Sequence, residues 1–194
     1  MSVFGLYFKL GTSHITDLQG YDHILFLIVL CAVYSFKQWK QVLILITAFT
    51  IGHCTTLLLA TFNVLKVSTT WIEFLIPVTI LITAIANIIQ KKDGVNRNLH
   101  LVKYASALFF GLIHGLGFSN YLRSLLGSES NLIKPLFAFN LGIELGQIII
   151  VVFIFVLTFI VVNLMMLKRR DWNLLLSGAG LGISLILILE RFPF

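Results

Sequence analysis

The sequence predicts an all-α, polytopic membrane protein built as a bundle of six transmembrane helices. Three observations carry that reading. Of 194 residues, 58% are hydrophobic and only 11% are charged, with a mean hydropathy of +0.98. Several windows reach the ~20 apolar residues that cross ~30 Å of hydrocarbon. Those runs are continuous rather than alternating, which excludes a transmembrane β-barrel.

The spans are expected at about 21–36, 41–62, 71–90, 101–122, 135–165 and 173–190, forming one integral membrane domain over residues 1–194. Residues 1–19 mix Phe4, Leu6, Tyr7 and Phe8 with His14, Thr16, Asp17 and Gln19, as an interfacial N-terminal segment would. No basic n-region and no apolar stretch precedes a small-residue site there, so no cleavable signal is expected. The first span is short, ~24 Å at 1.5 Å per residue. In the third span, Thr70-Trp71-Ile72-Glu73 has the pattern of a capping box. Pro135 suits the first turn of the fifth span, and Trp71 and Trp172 fall at span ends, as belt residues do. Gly111/Gly115, Gly142/Gly146 and Gly178/Gly182 are small-xxx-small pairs that let helix backbones approach. No internal repeat is evident; the likeness between Gly52-His53 and His114-Gly115 is too short to count.

Orientation follows from the basic residues. The connections after the first, third and fifth spans carry Lys37, Lys40, Lys91, Lys92, Arg97, Lys103, Lys168, Arg169 and Arg170, against Lys9, Lys66, Arg123, Lys134 and Arg191 on the other side. The positive-inside rule then places both termini on the non-cytoplasmic side. The same distribution accounts for the net charge of +6 without nucleic acid as a partner. Cys31 and Cys54 lie inside apolar runs and read as buried thiols.

The chemistry concentrates in a few intramembrane polar residues. Asp22-His23 opens the first span, where an ionisable pair costs several kcal/mol unless compensated. Capping of the helix N-terminus would explain Asp22 but not His23. His53 and His114 lie near the middles of the second and fourth spans. Asn140, Glu144 and Gln147 follow i, i+4, i+7 spacing on the fifth, within about 60° of one another at 100° per residue. Gly142 and Gly146 fall on the opposite face.

The topology lets Asp22, His23, His53, His114 and Glu144 meet in the outer half of the membrane. No Lys or Arg lies in the central part of any span, so Asp22 and Glu144 are expected to be protonated, paired with protonated His, or bound to a cation. His with carboxylate suits a borderline divalent metal, Ni, Co or Zn, whereas an all-oxygen set would suit Mg or Ca. A proton relay and a hydrogen-bonded structural core are the alternatives. His14 is an extra ligand or an access residue, and His100 belongs to a basic loop.

The stretches Gly20–Leu27, Phe49–Leu57, Gly111–Phe118 and Phe139–Gln147 resemble the HupE/UreJ family of bacterial membrane proteins, in its second, shorter branch. The resemblance implies the bacterial inner membrane and a nickel or cobalt permease. Compared with the better-described branch, this chain has Phe110 and Gly117 in place of a His and a Glu, and a longer spacing between His14 and Asp22-His23.

The first expectation is therefore a divalent-metal permease, whose ligands are several and individually moderate so that an ion can leave. The second is a zinc-dependent intramembrane hydrolase acting on a lipid or membrane peptide, with Glu144 as general base. The third is a non-catalytic membrane subunit. The lipid bilayer and a metal ion are the expected partners; a homo-oligomer is compatible with the chain but not indicated by it.

Overall fold

The computed structural model describes residues 2–65, 67–90, 97–126 and 132–193, without the side chains of residues 97–99. Lys66, Lys91, Lys92 and the Arg97 side chain, all used in the charge count, lie outside that description. The described residues contain helices and no strand. The helices are α1 (Val3–Thr16), α2 (Asp22–Cys31), α3 (Trp39–Thr61), α4 (Thr69–Ile89), α5 (Arg97–Leu126), α6 (Ile133–Phe159) and α7 (Arg169–Glu190). A 3-10 turn, Phe36–Gln38, leads into α3, and a π turn, Ile160–Leu164, follows α6.

Among the described residues, five helical segments are long and apolar enough to cross a membrane: Phe36–Thr61, Thr69–Ile89, His100–Leu126, Ile133–Leu164 and Arg169–Glu190. The sequence placed a first span over 21–36, but the helix there has ten residues, about 15 Å at 1.5 Å per residue. It stops before Ser35, whose backbone N–H donates to Gln38 Oε1 at 3.0 Å and starts the next turn.

The expected interfacial segment is a helix that packs one face on the bundle and leaves Val3, Phe4, Leu6, Lys9 and Ser13 exposed. Ser2 caps α1 by accepting from the Gly5 N–H at 3.1 Å. Tyr7, Gly11 and Ile15, spaced i, i+4, i+8, bury one face of it. That face meets α6 at backbone distance: a Cβ on Gly11 would strike the Phe139 carbonyl, and one on Gly142 the Phe8 carbonyl. Gly146 meets Thr12 and Ile15 farther along, so α1 and α6 run parallel.

The α3–α5 pair is built alike. A Cβ on Gly52 would strike the Leu108 carbonyl, one on Gly111 the Phe49 carbonyl, and one on Gly115 the His53 carbonyl. Two of the three expected small-xxx-small pairs therefore serve close packing within the chain. Gly178 and Gly182 do not: nothing lies within 4 Å of a Cβ at either.

At one end of the bundle α2, α4 and α7 are tied together by polar groups. Asn87 Nδ2 donates to the Val29 carbonyl at 2.7 Å, and Arg169 Nη2 to the Val33 carbonyl at 3.2 Å. Arg170 donates to the carbonyls of Ile88 and Gln90 at 2.6 and 2.7 Å, satisfying acceptors that the end of α4 leaves open. These contacts fix the course of the chain: α1 and α2 run in the same sense, one after the other, with residues 17–21 between them.

The start of α4 departs from expectation. Its N-cap is Ser68, without a side-chain cap hydrogen bond, so Glu73 is not the acid of a capping box. Pro77 lies inside α4, one turn beyond Glu73.

Candidate metal centre

The break between α1 and α2 is where the histidines gather. His14 lies in the last turn of α1, and His23 in the first turn of α2. His53 comes from α3, held in place by the glycine crossings on either side of it. One ligand atom from each of His14, His23 and His53 lies within 4.8 Å of the others. A tetrahedral ion with ~2.0–2.1 Å bonds holds its ligands about 3.3 Å apart, so ring rotations would close the set. His114, from α5, is adjacent, with its ring centroid 5.2 Å from that of His23.

These rings have few hydrogen-bond partners. His14 Nε2, His23 Nε2, both ring nitrogens of His53 and His114 Nδ1 are buried without one among the described residues. His114 Nε2 is engaged with Thr79 Oγ1 at 3.0 Å. An unsatisfied buried polar group costs about 1–3 kcal/mol. A cluster that served only to fix helix packing would pair these nitrogens with one another or with backbone. Their chemistry fits a soft or borderline cation, which takes lone pairs from neutral imidazoles.

A cavity of about 350 Å³ reaches His14, His23 and His114, and Asp17, Asp22, Glu73 and Arg191 also line it. Three carboxylates face one guanidinium there, so the approach to the histidines favours cations.

Asp22 does not cap α2. It is the first helical residue, the cap position is Tyr21, and no side-chain cap hydrogen bond forms. Nor does Asp22 lack a fixed cation. Its Oδ2 accepts from Arg191 Nη1 at 2.9 Å, while its Oδ1 is buried without a partner. The expectation counted cations only inside the spans, whereas Arg191 reaches back from the turn after α7.

Glu144 stands apart from the histidines. It accepts from Thr47 Oγ1 at 2.9 Å and lines neither cavity at His14. Gln147 Oε1 accepts from Thr50 Oγ1 at 2.7 Å, and Asn140 Oδ1 is buried without a partner. Glu144 and Gln147 thus turn toward α3, while the glycine face of α6 packs on α1. His100 stacks on Tyr104, away from the cluster.

Sequence reasoning missed Glu73, Thr79 and Arg191. The capping pattern concealed Glu73. A signal for Arg191 was present: the last span ends on the side from which Asp22 was expected to be approached.

Fold and cluster together define a helical integral membrane protein with a buried multi-histidine site open to a cation-favouring cavity. The chain belongs to the HupE/UreJ family: the family model described as HupE / UreJ protein matches residues 1–190. Neither the curated proteins nor the solved structures contain a significant match to it.

Proposed function

We propose that this protein is a divalent transition-metal permease of the nickel/cobalt type, zinc being the third candidate cargo. It would act in the bacterial inner membrane, with both termini on the non-cytoplasmic side. In this reading α1 and α2 are the two halves of one discontinuous span, which restores six crossings. The metal meets the protein at the break, where irregular backbone is tolerated because it lines a cavity.

One observation carries the reading: His14, His23 and His53 bring ligand atoms within 4.8 Å of one another, with unpartnered ring nitrogens. His114 and Asp22 adjoin them as further ligands. Glu144 belongs to this set only through movement of α6 relative to α3, since Thr47 holds it now. Family membership supports the same reading, because HupE/UreJ proteins are linked with nickel and cobalt handling.

Three histidines beside a cavity also favour a zinc hydrolase, the second reading. That chemistry needs a general base within hydrogen-bond reach of a metal-held water. Glu144, the expected base, is turned toward Thr47, leaving Glu73, Asp17 and Asp22 along the cavity.

The test is metal analysis of the purified protein, followed by Ni²⁺ uptake into proteoliposomes. The permease reading expects about one tightly held ion per chain and saturable uptake. Protein that retains no transition metal after exposure to Ni²⁺, Co²⁺ and Zn²⁺ in turn would contradict it.

A further inference from the structure

The two glycine crossings correspond residue by residue. Shifting α1 by 100 positions lays Gly11 on Gly111 and His14 on His114. Shifting α3 by 90 positions lays Ala48, Phe49 and Gly52 on Ala138, Phe139 and Gly142. The contacts follow the same shifts. Gly11 meets the Phe139 carbonyl and the Ile143 amide, and Gly111 meets the Phe49 carbonyl and the His53 amide. Gly142 meets Phe8 and Thr12, and Gly52 meets Leu108 and Leu112.

Chain order is kept as well. α1, α3 and α4 correspond to α5, α6 and α7, and the third members, α4 and α7, pack against each other. The α1–α6 and α3–α5 pairs each take one helix from each half. With α1 and α2 counted as one discontinuous span, each half makes three crossings, which gives the halves opposite orientation and places the axis relating them in the membrane plane. His14 and His114 are counterparts, and the His23 ring lies between them, with centroids 4.7 and 5.2 Å away.

The halves differ in one respect that bears on transport. The first half is broken over residues 17–21, beside the histidines, whereas α5 runs unbroken through the corresponding 117–121. The cavity opens beside the break. Toward the other end the site is closed by Phe26, whose ring centroid lies 5.0 Å from that of Phe49 and 6.2 Å from that of Phe110.

We propose that the two halves exchange these conformations, so that the histidine site opens alternately at the two ends and the protein is a carrier rather than a channel. This rests on the permease reading. The glycine-crossed pairs move as rigid bodies, because their backbones touch and no side chain can yield. The exchanged state makes the same two crossings, so the two states lie close in free energy, as a carrier requires. In that state the Phe26–Phe49–Phe110 contact parts and the break around residue 17 closes.

The experiment uses full-length protein with Cys31→Ala and Cys54→Ala, reconstituted into proteoliposomes. Ile76→Cys reports on the open cavity and Phe49→Cys on the closed end, since Phe49 is buried and lines no described cavity; Leu45→Cys, one turn away and also buried, replaces the latter if it does not fold. A membrane-impermeant thiol reagent is added to each side, with and without Ni²⁺, and Ni²⁺ binding is measured on the same samples. The two positions should react from opposite sides, and Ni²⁺ should change their rates in opposite directions by about tenfold. Protein that binds Ni²⁺ while the closed-end cysteine stays inert from both sides overturns the carrier mechanism and leaves the permease reading standing. Rates that move together do the same. Absence of Ni²⁺ binding in the parent protein instead removes the permease reading, and this inference with it.

Discussion

Arg191 Nη1 lies 2.9 Å from Asp22 Oδ2, and both residues line the cavity that leads to His14 and His23. The guanidinium occupies one oxygen of a carboxylate whose other oxygen is buried without a partner. In the permease reading, a divalent ion arriving at the histidines would therefore compete with a tethered cation for Asp22. That competition lowers affinity, which suits a site that must also release its ion.

Arg191→Gln should tighten Ni²⁺ binding, and Asp22→Asn should weaken it. A partly exposed ion pair is worth ~1 kcal/mol, so the expected change is about five- to tenfold in each direction. In the Asp22→Asn background the arginine substitution should have no further effect, because the coupling runs through the carboxylate. Calorimetric titration of the four proteins measures this. Weaker or unchanged binding in Arg191→Gln would remove the competitor role.

The histidines should not contribute equally. His14→Ala, His23→Ala and His53→Ala are each expected to lower metal affinity by about 100-fold, since an apolar site offers no replacement ligand. His114→Ala should cost less, about tenfold, because it joins the three as an additional ligand through Nδ1 alone, its Nε2 being engaged with Thr79. His100→Ala should leave the metal content unchanged. Full occupancy in a His23/His53 double substitution, measured by elemental analysis, would eliminate the site.

What the sequence conveyed depended on the range of the signal. Continuous apolar runs marked α3 to α7, because burial in lipid is a local property of a segment. His23, His53 and His114 stood out because imidazoles inside such runs need a reason. α1 was hidden because its 14 residues carry Lys9, Thr12, Ser13 and His14 among the apolar ones, and its apolar face is matched to α6 rather than to lipid. The Glu144–Thr47 contact was hidden for a related cause: helical spacing shows which residues share a face, not which neighbour that face meets. The Asp22–Arg191 pair joins residues 169 positions apart, beyond any local pattern.

The glycines give a separate test of the packing. Gly11→Ala, Gly52→Ala, Gly111→Ala and Gly142→Ala each drive a methyl group into a carbonyl of the facing helix. Backbone cannot rotate away as a side chain can, so each should destabilise by about 1–3 kcal/mol or more. Gly178→Ala and Gly182→Ala meet open space and should be neutral or slightly stabilising, since alanine favours the helix. Thermal unfolding in detergent separates the two groups. Equal losses in both would mean that the crossings are not as described.

The carboxylates separate transport from hydrolysis. Glu73 and Glu144 are both glutamates on spanning helices, but Glu73 lines the histidine cavity and Glu144 accepts from Thr47. Glu144→Gln keeps that acceptor, so metal affinity should stay within about threefold of the parent, the change left when the only effect is a screened charge. Glu73→Gln removes one negative charge from the approach. In a permease this slows loading of the site, so uptake should fall a few-fold at low Ni²⁺ and recover at saturation, with a weaker dependence on salt. In a hydrolase Glu73 is the exposed carboxylate best able to act as base. Its loss would leave the metal bound while turnover dropped by ~10²–10⁴ at every substrate concentration. Recovery at saturating Ni²⁺ is the outcome expected here, because Asp22 and the histidines remain to hold the ion. Uptake that stays abolished at saturation, in protein with its full complement of metal, would show that Glu73 acts after binding; the hydrolytic reading would take precedence only if the parent protein shows no Ni²⁺ uptake and a hydrolytic turnover that Glu73→Gln removes.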